Sequence, residues 1–262
     1  MQIIKSVSDP KIADYRSLRD LNNDTVHSDK FFVAEGIKVV LRLLKSPLRI
    51  KSVFCTPEFL AANAELINSR AGKESIYTAD ISLMSQIVGY KLHSGIMAIA
   101  EEKAEADFED FGSRVVAFNS IVNSENVGAI VRNAVAFGLN SLLFDAATSS
   151  PYLRRAVRVS LGNIFACNHR YSQNLVTDLS FLRQNFGYKI IAAEINAGAI
   201  AISEFTFPPK CVIIFGNEGK GIEQNILDLC DYVVKIPMNP ESDSINVAAS
   251  SAIFFHHISQ YK

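Results

Sequence analysis

Three polar loops hold the residue types that could carry chemistry in this chain of 262 residues. The first, 119–128, leads into a helical pattern that contains Arg132. The second, 216–221, has three glycines in six residues, which allow a sharp turn and a close approach of the backbone to a ligand. The third, 236–247, combines prolines with hydroxyl and amide side chains. Such groups around a glycine turn can orient a polar ligand by hydrogen bonds.

Each loop, taken alone, also has a purely structural explanation. Asn123 or Ser124 can cap the helix that follows the first loop, and Glu125 suits the positive end of that helix's dipole. Arg132 lies off the apolar stripe of the same helix, as a solvated surface charge would. Asn246 can likewise be the N-cap of a last helix. Spacing within one loop therefore leaves both interpretations open.

The glycine-rich loop matches neither common phosphate-binding pattern. A P-loop has the spacing G-x-x-x-x-G-K followed by Ser or Thr, whereas here Gly219-Lys220 comes sooner after Gly216, and Gly221 follows. The G-x-G-x-x-G pattern of dinucleotide sites is not matched either. A nucleotide- or dinucleotide-binding enzyme is therefore disfavoured, and a plain tight turn before the next helix stays open.

The segments that must position these loops have the pattern of a parallel sheet. Five runs in the second half of the chain are nearly all apolar, as strands buried on both faces are. Helical patterns near 126–137, 175–186, 222–229 and 245–259 alternate with them, which predicts an α/β fold with helices on both faces. Ligands bind beyond the carboxyl ends of such strands, so we expect the three loops to converge there. The five runs are 115–118, 142–144, 190–193, 212–215 and 232–234.

The first half of the sequence has the pattern of a separate, smaller α/β unit. From 101 to 110, six acidic residues accompany one lysine without a clear apolar period, which is typical of a linker or solvated hinge. We therefore expect one domain at 1–104, a linker to about residue 112 and a second domain at 113–262. The strand-like runs of the first half are 31–34, 50–54 and 95–100, and its helical patterns are 37–44, 58–69 and 81–88.

Composition limits the classes of function. The chain has 26 Lys and Arg against 27 Asp and Glu, and its 48% hydrophobic content is typical of a globular protein. No apolar run approaches the ~18 residues of a membrane span, and no signal or transit peptide is evident, which predicts a cytoplasmic protein without a membrane partner. The four cysteines lack metal-ligand spacing, so we expect reduced thiols and no metal site. Near-neutral charge disfavours indiscriminate binding of nucleic acid.

The three loops together resemble the signature motifs of one family, the SpoU-type (TrmH-like) RNA ribose 2′-O-methyltransferases of the SPOUT superfamily. They occur in the family's order and at similar separations. The segment 158–162 resembles the stretch between the family's first two motifs, and 32–36 and 95–99 resemble its N-terminal substrate-binding domain. The matching motifs are Asn126-x-Gly128-x-Ile130-x-Arg132, Phe215-Gly216-Asn217-Glu218-Gly219-Lys220-Gly221, Ile236-Pro237-Met238 and Ser244-Ile245-Asn246-Val247.

The resemblance implies a fold and a cofactor that sequence patterns do not show. It implies an α/β fold whose C-terminal parallel-sheet domain is a SPOUT trefoil knot, with S-adenosylmethionine bound bent in the knot. It also implies a homodimer through that domain, whose partner completes the site. The smaller N-terminal α/β domain would be similar to ribosomal-protein folds that grip structured RNA. The implied cofactor-binding residues are Phe215, Gly216, Asn217, Gly219, Ile236, Met238, Ser244, Ile245 and Val247.

The same resemblance implies the catalytic residues. A ribose 2′-hydroxyl must lose its proton as it attacks a sulfonium methyl group. A guanidinium stays protonated at neutral pH, so we expect Arg132 to place the RNA phosphate and to assist deprotonation together with it. Asn126, Glu218, Ser244 and Asn246 would orient the hydroxyl and the cofactor by hydrogen bonds. This chemistry needs no metal.

One departure from the family pattern concerns the first motif. The family usually has Asp-Pro where this chain has Asn123-Ser124, and because Asn and Ser also form turns, the loop can keep its shape. The change motivates an alternative function, a non-catalytic RNA-binding protein that retained the methyltransferase fold. The presence together of Arg132 and the four other catalytic residues favours the enzyme.

Positive charge is concentrated in parts of the sequence despite the neutral total. Residues 1–51 contain ten Lys and Arg against six Asp and Glu, and three arginines occur in a short later segment. We expect Arg154, Arg155 and Arg158 to bind structured RNA, with ribosomal RNA favoured over transfer RNA. Recognition of a folded RNA by few phosphate contacts predicts a modest salt dependence of binding.

Overall fold

The structure is a computed structural model that describes residues 1–16, 30–239, 241 and 244–260. Pro240, Ser242 and Asp243 of the third loop therefore lie outside the described residues. The chain forms two compact units. The first comprises Met1–Lys103 and Tyr152–Phe165, and the second comprises Ala104–Pro151 and Ala166–Lys262.

The segment 152–165 differs from the prediction, which placed all of 113–262 in one domain. It packs within the first unit because its aromatic side chains join an apolar cluster there. The rings of Tyr152 and Phe165 lie 5.1 Å and 5.2 Å from the ring of Phe32, measured between centroids. The Tyr152 hydroxyl also accepts a hydrogen bond from the Lys103 amide. No local periodicity distinguishes such a segment from the domain that surrounds it in sequence.

The first unit is a mixed sheet with helices against it. Its strands lie in the order β1-β4-β3-β5-β2, with β5 antiparallel to β2 and β3 and the other pairs parallel. The predicted helix at 58–69 is two helices, because the backbone leaves helical geometry at Asn63. The strands are β1 Gln2–Ile3, β2 Phe31–Glu35, β3 Ile50–Cys55, β4 Ile76–Thr78 and β5 Ile96–Glu101, and the α-helices are α1 Ile37–Lys45, α2 Pro57–Ala62, α3 Ala64–Arg70, α4 Ile81–Val88 and α6 Arg154–Val159.

The second unit is an α/β layer structure around an entirely parallel sheet, as predicted. Its strands lie in the order β10-β12-β9-β11-β6-β7-β8. The central strands β6 and β11 are almost fully buried, and β9 is buried over its three middle residues, as expected of strands covered on both faces. The strands are β6 Arg114–Phe118, β7 Ser141–Asp145, β8 Asn168–Ser172, β9 Lys189–Ala193, β10 Ile200–Ala201, β11 Cys211–Phe215 and β12 Tyr232–Lys235, and the α-helices are α5 Ser124–Ala136, α7 Leu175–Phe186, α8 Gln224–Leu227 and α9 Val247–Ser259.

The predicted acidic linker is not a solvated hinge. Its first residue, Glu101, still belongs to β5. Ala106, Phe108 and Phe111 are buried in the core of the second unit, where they pack with β6, β9 and α7. Burial of two phenylalanine rings stabilises the stretch strongly enough to override its charged composition. The acidic residues between these positions are exposed to solvent, and their high proportion led to the wrong prediction of a solvated linker.

The cysteines form no disulfide among the described residues, and Cys55, Cys167 and Cys211 are buried. Burial raises the pKa of the thiols of Cys55, Cys211 and Cys230 to about 12, which keeps them protonated and unreactive. No helix in the described part of the chain has the length and apolar character needed to cross a membrane.

Candidate active site

A cavity of about 710 Å³ opens at the carboxyl edge of the parallel sheet in the second unit. The strands β9, β11 and β12 end at it, and the loops that follow them form its walls. Its volume suits a nucleoside-sized ligand. The lining contains all nine of the predicted cofactor-binding residues, which are Phe215, Gly216, Asn217, Gly219, Ile236, Met238, Ser244, Ile245 and Val247.

The glycine-rich loop of this cavity is closed on itself by backbone hydrogen bonds. The amides of Asn217 and Gly221 each donate to the other residue's carbonyl oxygen, at 3.1 Å and 2.9 Å. The Asn217 side-chain oxygen accepts from the amides of Gly219 and Lys220, while its Nδ2 donates to the Ser120 carbonyl at 2.8 Å. The loop is therefore a rigid turn tied to the first polar loop.

Two glycines of this loop are required by the space around them. A Cβ on Gly216 would lie 2.6 Å from the backbone of Gly221 and Ile222, which is closer than packed atoms approach. Gly221 has φ +70°, a left-handed conformation that glycine adopts at little cost. The turn thus depends on glycine at both of its ends.

Asn119, which lies outside the motif residues, joins the ends of three strands. Its amide donates to the Phe215 carbonyl at 2.9 Å, and its Nδ2 donates to Asp145 Oδ2 at 3.0 Å and Glu223 Oε1 at 3.3 Å. Its Oδ1 accepts from the Glu223 amide at 3.0 Å. The residue is only 1% exposed, so these bonds satisfy its side chain. A polar residue at the end of a buried strand was the signal in the sequence.

Three predicted catalytic residues from three separate segments, the first turn of α5, the glycine-rich loop and the N-cap of α9, form one hydrogen-bonded chain. Asn126 Nδ2 donates to Glu218 Oε1, and Asn246 Nδ2 donates to Asn126 Oδ1 at 3.1 Å. Asn123 caps α5 by accepting from the Glu125 amide, and Asn246 caps α9 by accepting from the Ala248 amide. The Asn246 side chain therefore caps α9 with its oxygen and at the same time donates to Asn126 with its nitrogen. Glu218 and Asn246 also line the cavity.

The other two predicted catalytic residues are placed differently. Ser244 lines the cavity, at the start of the segment that leads into α9. Arg132 is exposed on α5 and does not line the cavity. The structure of one chain therefore brings four of the five predicted catalytic residues to the cavity or its rim and leaves Arg132 outside it.

The three predicted RNA-binding arginines lie on α6, in the first unit. Arg154 pairs with Glu35 at 2.6 Å, donates to the Tyr90 hydroxyl at 2.8 Å and lies over the Tyr90 ring. Its side chain is 21% exposed, so this arginine is largely committed to internal contacts. Arg155 and Arg158 are exposed on the same helix. In the described residues, no group of three or more His, Cys, Asp or Glu side chains could hold a metal ion.

A parallel α/β sheet with a glycine turn and a ligand-sized cavity at its carboxyl edge defines a ligand-binding α/β protein. Two family models match the chain. Residues 113–256 match the SpoU rRNA Methylase family, and residues 33–106 match the family described as RNA 2′-O ribose methyltransferase substrate binding. The chain belongs to the SpoU rRNA methylase family.

Known proteins similar to this chain carry consistent descriptions. An uncharacterized tRNA/rRNA methyltransferase of Mycobacterium tuberculosis is 30% identical and covers 98% of this chain and 91% of its own length. The 23S rRNA (guanosine(2553)-2′-O)-methyltransferase RlmP of Bacillus subtilis is 23% identical and covers 98% and 99%. The AdoMet-bound rRNA methyltransferase structure from Sinorhizobium meliloti is 22% identical, with a TM-score of 0.83 over 99% of this chain and 98% of that one. The last match confirms the α/β fold.

Proposed function

We propose that this chain is an S-adenosylmethionine-dependent methyltransferase that modifies a ribose 2′-hydroxyl of structured RNA. One observation carries the proposal. The hydrogen-bonded chain of Asn126, Glu218 and Asn246 lies at the same cavity that all nine predicted cofactor-binding residues line. The residues that we propose bind the methyl donor and those that we propose orient the hydroxyl thus lie at one cavity.

The cavity fits S-adenosylmethionine by the chemistry of its walls. Ile236, Met238 and Val247 offer apolar surface for an adenine ring, and the rigid glycine turn lines the cavity with little side-chain bulk, so that a ligand can approach its backbone closely. When bound, the cofactor supplies a methyl group on a sulfonium cation. The residues of the cavity wall would hold and orient the cofactor. The ribose hydroxyl is then the second reactant that the protein must position.

The amide groups suit the positioning of a ribose hydroxyl. A hydroxyl donates one hydrogen bond and accepts others, so it can bind between the Asn126 or Asn246 amides and the Glu218 carboxylate. Fixing the oxygen before reaction removes much of the entropic barrier to transfer. Arg132 would hold the adjacent phosphate, and the phosphate would take part in removing the hydroxyl proton, because a guanidinium is a poor base.

A homodimer would bring Arg132 to a cavity, as the family resemblance implies. Arg132 is exposed and does not line the cavity of its own chain. A symmetric dimer through the second unit presents each α5 to the partner, so that every site would contain residues of two chains. Mixing Arg132→Ala chains with Glu218→Gln chains tests this. Recovery of activity in the mixture supports shared sites, and its absence contradicts them.

The first unit would bind the RNA, and ribosomal RNA is the favoured class. Support comes from the family matched by residues 33–106, which is described as substrate binding, and from the B. subtilis relative, named for 23S rRNA and aligned along nearly the whole chain. The knot in the second unit remains a prediction of the resemblance.

Two measurements test the proposed function. Calorimetric titration should detect binding of S-adenosylmethionine, and mapping of 2′-O-methyl sites in RNA from cells with and without the protein should reveal one that depends on it. Arg132→Ala should abolish the transfer while cofactor binding persists. Failure of the purified dimer to bind the cofactor would contradict the proposal. Cofactor binding without any RNA methylation would favour the non-catalytic RNA-binding alternative.

A further inference from the structure

Glu194 is an acidic residue of the cavity wall for which neither the motifs nor the proposed catalytic chain gives a role. It follows β9 directly, and β9 lies between β11 and β12 in the sheet. The side chain is half-buried and lines the cavity next to the end of the glycine-rich loop. An acidic residue placed there adds a negative charge where the cofactor is expected.

The Glu194 carboxylate is held in one position by two backbone amides. Its Oε1 accepts from the Ile195 amide and its Oε2 from the Ile222 amide, both at 2.9 Å. Gly221 makes room for it, since a Cβ on that glycine would lie 2.6 Å from Oε2. The absence of a side chain at Gly221 therefore serves the carboxylate as well as the turn.

The charge of Glu194 is not neutralised by these partners. Backbone amides are dipoles without net charge, and within the described ranges no lysine or arginine forms an ion pair with this carboxylate. The charged residues that share the cavity wall are Glu218, Lys220 and Lys235, and Glu218 and Lys220 are exposed. A fixed, partly buried charge interacts with a ligand more strongly than charges that solvent screens.

We propose that Glu194 makes the cavity prefer the cationic methyl donor over its neutral product. This inference rests on the proposed function. Methyl transfer breaks the sulfur–methyl bond and leaves its electron pair on sulfur, so the sulfonium cation becomes a neutral thioether. The carboxylate stabilises the cation by attraction and gives no such stabilisation to the thioether. Glu194 is thus a residue that determines ligand specificity and favours exchange of product for fresh donor.

Calorimetric titration of the full chain with three ligands tests this role. The ligands are S-adenosylmethionine, its amine-cation analogue sinefungin, and neutral S-adenosylhomocysteine. Glu194→Gln keeps the shape of the side chain and removes its charge. We expect Kd to rise about five- to tenfold for the two cations and less than about twofold for the neutral ligand. Glu204→Gln removes the same charge from an exposed position outside the cavity lining and should change none of the three.

Gly216→Ala shows what a purely structural disturbance does. Its Cβ would lie 2.6 Å from the backbone of Gly221 and Ile222, and none of the three atoms nearest to it belongs to the Glu194 carboxylate, so we expect all three ligands to weaken alike. If Glu194→Gln also weakened the three ligands equally, or changed none of them, the preference for the cation would be wrong while the proposed function stood. If the wild-type protein bound none of the three, the proposed function itself would fail, and this inference with it.

Discussion

Asn126 and Asn246 are 120 positions apart in the sequence, yet their side chains are hydrogen-bonded at 3.1 Å. An amide both donates and accepts, so each asparagine can face another polar group and still present an atom to a substrate hydroxyl. The carboxylate of Glu218 only accepts, which fixes the direction of the bond from Asn126. The donor-to-acceptor direction of the hydrogen bonds from Asn246 through Asn126 to Glu218 therefore follows from the residue types.

Asn126→Asp would remove the hydrogen bond from residue 126 to Glu218 while leaving the shape of the side chain almost unchanged. Two carboxylates would face each other at Glu218 where an amide now donates, and their repulsion would displace both. We expect the methyl-transfer rate to fall about tenfold to hundredfold, with cofactor affinity changed only a few-fold. Single-turnover assays and calorimetry measure the two quantities.

Asn68→Asp is the matched control for this substitution. Asn68 is exposed on α3, so the same change of charge occurs in the unit that does not contain the proposed site. Equal losses of transfer rate in the two variants would show that net charge, and not the hydrogen-bonded chain, is responsible. Loss of cofactor binding in Asn126→Asp would assign Asn126 to the cofactor and not to the hydroxyl.

The glycine-rich loop is the element that joins the strands β6, β9 and β11 at the cavity. Asn217 ties it to the Ser120 carbonyl, Asn119 ties it through Glu223, and Glu194 ties it through the Ile222 amide. The loop and the two residues that follow it are thus hydrogen-bonded to residues at the ends of two neighbouring strands. A flexible loop of this length would lose affinity by ordering on binding, whereas this one is ordered beforehand.

Gly216→Ala should destabilise this element, because its Cβ has no space against the backbone of residues 221–222. We expect a loss of about 1–3 kcal/mol in the free energy of unfolding and a weaker affinity for the cofactor. Denaturant titration measures the first. In Gly219→Ala the nearest atom to the new Cβ is at 3.6 Å, an ordinary contact, so stability should stay near that of the wild type. Equal stability of the two variants would contradict the role of space at Gly216.

Asp231 joins the strands β9 and β12 from the opposite end of the sheet. Its carboxylate accepts from the Ile190 amide at 2.9 Å and pairs with Lys189 at 3.1 Å and Arg183 at 3.2 Å. Burial alone would raise the pKa of this carboxyl. The hydrogen bond from the Ile190 amide and the two cations together lower the pKa by more than burial raises it, so the net pKa lies below its ordinary value. The ionised form therefore stabilises the folded state.

Asp231→Asn should lower the free energy of unfolding by about 1–3 kcal/mol at neutral pH. A depressed folded-state pKa gives stability that is present above the unfolded-state value near pH ~4 and is lost as the pH falls through the lower value. The difference between wild type and variant should hence shrink as the pH drops below about 4. Unfolding titrations at several pH values measure it. The control is Asp228→Asn, which removes an exposed carboxylate and should change the free energy of unfolding by less than about 0.5 kcal/mol at every pH. If this variant showed the same pH trend, the stabilising role given to the ionised Asp231 would be wrong.

The two structural units do not correspond to two consecutive halves of the sequence. It passes between the two units at residues 103–104, 151–152 and 165–166, so the unit that would bind RNA contains a helix from the middle of the chain. Within that unit, Arg154 holds α6 through Glu35 and Tyr90. The pair anchors the helix that carries Arg158 at the surface, and the three predicted arginines therefore have unequal roles.

Arg158→Ala and Arg154→Ala should separate RNA binding from stability. Arg158→Ala should leave the melting temperature unchanged and reduce the slope of log K against log salt by about one, from a wild-type slope of only a few. Arg154→Ala removes the cation beside the largely buried Glu35 carboxylate, to which the Tyr90 hydroxyl still donates, and should cost about 2 kcal/mol of stability or more. Binding assays across salt concentrations and thermal melts measure these effects. A steep wild-type slope would contradict selective recognition, and a stable Arg154→Ala protein would contradict the anchoring role.

The sequence by itself determined most of the helices and the long strands of the parallel sheet, because their signals are local. Buried parallel strands must be apolar on both faces, so β6, β7, β9, β11 and β12 were readable as continuous runs, and helices α5, α7 and α9 as periodic ones. Asn126, Glu218 and Asn246 were assigned through the resemblance of their motifs to a family, because spacing alone also allowed purely structural roles. These features depend on neighbours along the chain.

Only the tertiary structure decided which of those residues meet and what surrounds them. The pairing of Arg154 with Glu35, the burial of Phe108 in the supposed linker, and the place of Glu194 in the cavity wall depend on strand order and on chain crossings between distant segments. Local periodicity records whether a residue is buried, but it does not record its partner. Partners are set by packing across the sheet, where β9 lies between β11 and β12 although the chain reaches them in a different order.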